Sequence, residues 1–324
     1  DTLGYLKLSK FTRTSHKEVV ESLSDLSKRG IKSLIVDLRG NTGGYLDQAL
    51  LLSNEFLSKG NLIVYMEGLH RKREDYFADG RGKFKDLGLK VLIDEGSASS
   101  SEIFAGAIQD NDRGVIIGRR SFGKGLVQEP IYFSDKSGIR LTVARFYTPT
   151  GRSIQKPYGS DYRNDIIERY RHGELTSADS IRQNDSLKYT TPGGKIVYGG
   201  GGITPDVFVP LDTTGITDFL IKSNEQGLVF RFSSEIADQY RAELRGINDY
   251  ISLIKFLESK NLEKRFLDYA SGKGVVPKPE DWKLSGDILI TQLKALVGRY
   301  SPLDDKAYYP IISKIDNVIQ AASR

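Results

Sequence analysis

The sequence predicts an α/β protein built on a parallel sheet, followed by a mainly α-helical C-terminal domain. Three observations predict it. Up to Gly118, short apolar runs alternate with glycine- or serine-rich turns and helical periods, the pattern of strands joined by covering helices. Of the 33 glycines, 26 fall within the first 210 residues, which leaves the remainder poor in turns. Residues 211–324 carry 16 basic and 16 acidic side chains, so the whole formal charge of +5 sits in residues 1–210. A boundary near Ile203–Gly215 follows, with domains 1–210 and 211–324.

The elements are read in order. Gly4–Phe11 alternates as a strand does, and Ser15 with Glu18 makes a capping-box start for a helix carrying Val19, Val20, Leu23 and Leu26 up to Gly30. Ser33–Leu38 is a buried strand, the Gly40–Gly44 turn follows, and Leu46–Phe56 is a helix burying Leu50, Leu51 and Phe56. The unit repeats: strand Leu89–Asp94, turn Gly96–Ser101, helix Glu102–Gln109, strand Gly114–Gly118. Leu126–Phe133 and Ile139–Tyr147, separated by SDKSG, form an antiparallel hairpin. The tract from about 152 to 202 is polar and reads as a mobile surface excursion with partial helix. Beyond Gly215, helices are expected at Ile216–Asn224, Ser234–Leu244, Asp249–Glu258, Leu262–Ala270, Gly286–Val297 and Asp304–Ala322.

Composition narrows the chemistry. Cysteine is absent, which removes thiol nucleophiles, disulfides, thiolate zinc sites and iron–sulfur clusters. His16, His70 and His172 are the three histidines, and none has a metal-binding or triad-like setting, so all are read as solvent-facing. The small net charge lacks the concentrated basic tract of a nucleic-acid binder. No run of about 18 apolar residues spans a membrane. The chain opens on Asp1 rather than Met, an opening compatible with a removed leader or further domains.

Three turns sit where parallel sheets place chemistry, at the carboxyl ends of strands. In Asp37–Gly44 (DLRGNTGG) paired glycines precede a helix, so their N–H groups can face a developing anion; the competing reading is a tight turn that needs positive φ. Gly96–Glu102 (GSASSSE) sets four serines at a helix mouth, where Ser99 with Glu102 also fits a plain capping box. Ser121–Gln128 (SFGKGLVQ) holds Lys124 between two glycines and against Phe122, Leu126 and Val127, surroundings that can desolvate an amine. A lysine acting as a neutral base near pH 7 needs a pKa roughly 3 units below its usual 10.4. Gln128 alternates onto the same face of an extended strand and can orient that amine. Gly118–Gly125 comes within one residue of a phosphate-binding loop, but Gly125 stands where the magnesium-binding hydroxyl belongs and a strand, not a helix, follows. With no cysteine and no suitably placed histidine, a serine–lysine arrangement is what the residues leave.

Taken together, DLRGNTGG, GSASSSEIFAGAIQD, GRRSFGKGLVQ, RLTVARFYTPTGRSIQ and GGGITPDV resemble the carboxyl-terminal processing (tail-specific) proteases of peptidase family S41, over roughly Gly4–Pro210. The resemblance implies a crotonase/Clp protease-like core and a serine endopeptidase without metal or organic cofactor. It makes Ser99 the nucleophile, Lys124 the general base 25 residues later, and Gln128 its support. The N–H of Ser100 and of Gly43 or Gly44 would form the oxyanion hole. Substrates would be polypeptides with accessible, rather apolar C-termini, in the bacterial periplasm or cell envelope.

Two departures stand beside it. Family members usually carry a PDZ domain before the first strand, and none is recognised in this chain. The link between TPTGRSIQ and GGGITPDV is longer than usual. The C-terminal helical region receives no role from the resemblance; assembly into a homo-oligomer and control of substrate access are the uses open to it. A non-catalytic peptide-binding or scaffold module of the same fold is the alternative function.

Overall fold

The computed structural model describes residues 2–159, 162 and 164–324. The chain divides into two compact units, residues 1–211 with 321–323, and residues 212–320 with 324.

The first unit starts from the strand β1 (Leu3–Lys7), helix α1 (Ser15–Lys28), strand β2 (Ser33–Asp37) and helix α2 (Leu46–Phe56). Strands β3 (Leu62–Glu67) and β4 (Glu74–Phe77) follow, then β5 (Gly88–Ile93), α3 (Ser100–Asp110), β6 (Val115–Gly118), β7 (Leu126–Tyr132) and β8 (Gly138–Tyr147). The polar excursion contributes helix α4 (Asp165–Arg171) and a small ribbon of β9 (Lys188–Thr190) and β10 (Ile196–Tyr198), before β11 (Val207–Phe208). A five-stranded sheet has the order β1-β2-β5-β6-β11, and every pairing in it is parallel. A second, antiparallel sheet has the order β4-β3-β8-β7.

This topology positions the site. β2, β5 and β6 are adjacent, so the turns that leave their carboxyl ends emerge side by side. β2 is apolar because both its faces are covered: Leu34, Ile35 and Val36 are all buried. Helix α3 is buried along its whole length. Its last turn carries Asp110, which pairs with the fully buried Arg152 at 2.6 Å; the same guanidinium donates to Gln109 Oε1 (2.7 Å) and Tyr198 O (2.9 Å). A buried charge survives only with such partners, so this set anchors the TPTGRSIQ segment to α3.

Several expectations need correction. Helix α1 begins at Ser15 with Thr14 as N-cap; Ser15 Oγ donates to Lys10 O and accepts from Thr12 N–H, so the Ser15–Glu18 capping box does not form. On α2 the buried positions are Gln48, Ala49, Leu52, Ser53 and Phe56, whereas Leu51 is exposed, a shift of one residue in the phase of the helix. His16 is half-buried, with Nε2 3.0 Å from Glu55 Oε1, while His70 and His172 are exposed. Strands β3 and β4 add to the sequence expectation: β3 is a short apolar run, LIVYM, ending on Glu67, and β4 opens on the acidic pair Glu74–Asp75.

The second unit is helical: α5 (Asp218–Glu225), α6 (Leu228–Gln239), α7 (Arg241–Leu244), α8 (Tyr250–Glu258), α9 (Leu262–Ser271), α10 (Pro279–Tyr300) and α11 (Asp305–Ile312). α10 runs longer than its apolar period because Pro279 supplies a preformed first turn. The expected helix 304–322 is instead two helices: Asp316 accepts from the N–H of Val318 and Ile319 and starts a new one at Asn317. Phe219, Phe232, Phe266, Leu253, Leu257, Leu289 and Leu293 lie in its core.

Candidate active site

The serine turn follows β5. Ser99 takes φ 57° and ψ −114°, a region costly for a residue with a Cβ, and sits at the N-cap of α3. Strain of this kind, of order 1–3 kcal/mol, marks nucleophile elbows, where the side chain must stand clear of the helix it precedes. The four serines divide cleanly. Ser97, Ser100 and Ser101 are buried, and their hydroxyls donate to Leu38 O (2.8 Å), Gly44 O (3.0 Å) and Asn41 O (2.8 Å). Ser99 is the half-buried one. Three serines therefore fasten this turn to the glycine turn, and the fourth is left half-exposed.

The glycine turn follows β2 and is pinned by the buried Asn41. Its amide donates to Leu8 O (2.7 Å), its Oδ1 accepts from Gly43 N–H (2.9 Å), and its carbonyl accepts from Ala98 N–H (3.0 Å). A Cβ on Gly43 would lie 2.8 Å from both Ser99 Cβ and Ser100 N, so only glycine allows this approach. Gly44 is constrained from the other side, where a Cβ would lie 1.9 Å from Phe11 O. The N–H groups of Gly44 and Ser100 have no hydrogen-bond partner among the described residues, whereas that of Gly43 is committed to Asn41. Before this turn, Asp37 is buried and accepts from Arg39 (2.7 Å and 3.0 Å) and from Tyr5 Oη (2.7 Å). Burial pushes its carboxyl up, but Arg39, helped by Lys7 and Tyr5, holds it below the usual carboxylate range.

The lysine turn follows β6. Its link to the serine turn is Glu102, fully buried on the first turn of α3. Glu102 Oε2 accepts from the N–H of Ser99 (2.9 Å) and of Lys124 (2.8 Å); Oε1 accepts from Gly123 N–H (2.7 Å) and Ser121 Oγ (2.5 Å). The backbone nitrogens of Ser99 and Lys124 are thus less than two hydrogen-bond lengths apart. Burial pushes the Glu102 carboxyl up against the pull of these four donors. The sequence marks Glu102 only as a helix cap, through its S-x-x-E spacing, and gives Asn41 no role.

Lys124 is half-buried, between Gly123 and Gly125 as expected. No hydrogen bond joins its Nζ to Ser99 Oγ among the described residues. No hydrogen bond joins Gln128 to Lys124 among the described residues: Gln128 is exposed on β7, and its amide donates to Thr142 Oγ1 at 3.4 Å. The register shift between Val127 and Gln128 interrupts the alternation on which the expected pairing depended.

A parallel sheet carrying a strained serine at a helix N-terminus, with two unused N–H groups and a lysine turn beside it, has the build of a serine-type hydrolase core. Comparison with protein families matches residues 2–163, half of the chain, to Peptidase family S41, and the chain belongs to that family. Residues 219–301 match a family of unknown function. The carboxyl-terminal-processing protease of Synechocystis sp. is 34% identical over 204 residues, covering 62% of this chain and 47% of that protein. The carboxy-terminal-processing protease of Bartonella bacilliformis is 40% identical over 192 residues, 55% of this chain and 43% of its own. Among solved structures, the photosystem II D1 C-terminal processing protease is 29% identical, with a TM-score of 0.48, and covers 64% of this chain and 42% of its own. The chain spans less than half the length of these relatives.

Proposed function

We propose that the chain is the catalytic part of a serine endopeptidase that cleaves polypeptides near accessible, rather apolar C-terminal tails in a bacterial periplasm or cell envelope. Residues 1–210 form the protease core and 211–324 a helical domain. Ser99 Oγ attacks the scissile carbonyl and Lys124 takes its proton, then returns it to the leaving amine. The developing oxyanion is held by the N–H groups of Gly44 and Ser100, since the N–H of Gly43 is bound by Asn41. No metal or organic cofactor enters these steps.

The observation that carries this reading is the shared carboxylate oxygen of Glu102, which binds the main chain at Ser99 and Lys124 at once. The exposed setting of Gln128 favours a second reading, a peptide-binding module whose lysine is unsupported. One experiment separates them: cleavage of an unfolded protein by the full-length protein and by its Ser99→Ala and Lys124→Ala variants. Each variant is expected to lose at least about a thousandfold in kcat. Parental rates in both would overturn the dyad, and absence of cleavage by the parent as well would favour the peptide-binding module.

A further inference from the structure

Helix α4 lies just beyond the segment matched to the peptidase family, in the tract that reads from sequence as a mobile excursion. Its Arg169 is nevertheless buried, with a side chain 4% exposed. The guanidinium donates to Arg120 O (2.6 Å), to Ser121 O (3.0 Å) and to Glu174 Oε1 (2.8 Å). Glu174 in turn accepts both arms of the Arg120 guanidinium, each at 2.7 Å. The Arg120–Ser121 peptide is therefore gripped by its two carbonyls and by the side chain of Arg120.

That peptide opens the lysine turn, and every amide after it is tied to a group outside the turn. Ser121 N–H donates to Ile203 O (3.0 Å), Phe122 N–H to Ser97 O (3.0 Å), Gly123 and Lys124 N–H to Glu102, and Gly125 N–H to Gln155 Oε1 (2.9 Å). Arg169 supplies the complementary half, donors for the carbonyls that these bonds leave over. A planar guanidinium has enough donors in a fixed fork to serve two carbonyls and a carboxylate together, and an ammonium does not.

We propose that Arg169 is a positioning residue for the general base: α4 clamps the lysine turn from outside the family core and fixes where Lys124 points. This rests on the reading of Lys124 as the base. An arginine serving only to hold the fold would be expected to bind its own element or its neighbours in the excursion. Two of its three partners here are main-chain groups three and four residues before Lys124.

The test compares Arg169→Met and Arg169→Lys in the full-length protein by steady-state cleavage of an unfolded protein and by hydrogen exchange. In Arg169→Met, kcat is expected to fall about tenfold or more with KM within about twofold, because the change reaches the reaction through the loosened base. Amides 121–125 should exchange at least about tenfold faster, while those of β2 and β5 keep their parental rates. Arg169→Lys, which keeps the charge and most of the volume, should fall between Met and parent on both readouts. Parental exchange at 121–125 together with parental kcat in Arg169→Met would overturn the proposal. So would a rise in exchange across β2 and β5 in Arg169→Lys, since the arginine would then be holding the core and not the turn. The exchange measurement does not depend on catalysis: parental activity of Lys124→Ala would sink the dyad reading while the exchange arm still reports whether Arg169 pins the turn.

Discussion

The two units bury different things. Among the described residues the buried ionisable side chains, Asp37, Glu102, Asp110, Arg119, Arg152, Lys156, Arg169 and Glu174, all belong to the first unit. The buried polar residues of the second all carry hydroxyls, Thr217, Ser223, Ser233, Ser285 and Ser301, set in an aliphatic and aromatic core. Burying a charge costs several kcal/mol unless partners replace its water, so a chain that needed only stability would avoid it. The first unit accepts that cost where loops must be held to a fraction of an ångström: Glu102 locks the serine and lysine turns, Arg152 anchors the segment that supplies Gln155, and Arg169 with Glu174 grips the lysine turn from outside. The second unit obeys the simpler rule of an amphipathic helical bundle.

The sharpest way to break this comparison is Glu102→Gln. Each carboxylate oxygen of Glu102 accepts two donors, and an amide nitrogen in place of either would face two donors with a third. We expect kcat to fall about a hundredfold and the first unit to lose about 3 kcal/mol, read by cleavage assay and thermal unfolding. The matching change in the second unit is Leu253→Ala, a fully buried aliphatic truncation. It should cost about 3 kcal/mol through the cavity it leaves, yet leave kcat per folded molecule at the parental value. Equal loss of kcat in both variants would show that the contrast in burial does not follow function.

Acidification should also divide the units. Asp37 and Glu174 have carboxyls pushed up by burial but held below their usual range by Arg39 and by Arg120 with Arg169, respectively. Their contribution to stability is complete above the unfolded values near 4 and is lost as pH falls through the lower folded values. Glu102 acts in the opposite sense: burial raises its carboxyl, so its ionisation costs stability as pH rises. Arg39→Met removes the main partner of Asp37 and should move acid unfolding of the first unit upward by about one pH unit. Hydrogen exchange across a pH series reads the units separately, and an equal shift in the second would contradict the assignment.

Legibility from the sequence follows the same division. The strands β2, β5 and β6 and the three turns after them could be read because apolar runs ending in glycine or serine clusters are local signals, as was the hairpin of β7 and β8. Ser99 and Lys124 stand out for the same local reason. Which of Gly43 and Gly44 keeps a free N–H was not legible, because it depends on the bond from Gly43 N–H to the Asn41 side chain, which spacing does not reveal. The exposed place of Gln128 on β7 was not legible either, because the register shift beside it leaves no mark in the composition. Arg169 was invisible: a lone arginine in a polar tract looks solvated, and only tertiary folding brings it to carbonyls 48 and 49 residues away. In the second unit the helices were legible from their period, and the ends that moved were set by Pro279 and Asp316 acting as start signals.

The smallest expected effect tests whether the second unit's buried hydroxyls are structural alone. Thr217 caps α5: its Oγ1 accepts from Leu220 N–H at 3.2 Å and donates to Ser285 Oγ at 3.0 Å. Thr217→Val keeps the shape and deletes both bonds, so the loss should be that of an N-cap, about 1 kcal/mol. Ser285 Oγ still donates to Asp281 O (2.7 Å), which keeps the remaining hydroxyl satisfied and the penalty small. Thr217→Ser retains the accepting oxygen and should stay within about 0.5 kcal/mol of the parent. Thermal unfolding of the second unit measures the difference between the two variants. A loss near 3 kcal/mol in Thr217→Val would place this unit's hydroxyls in the same category as the buried charges of the first, and the contrast between the two cores would fail.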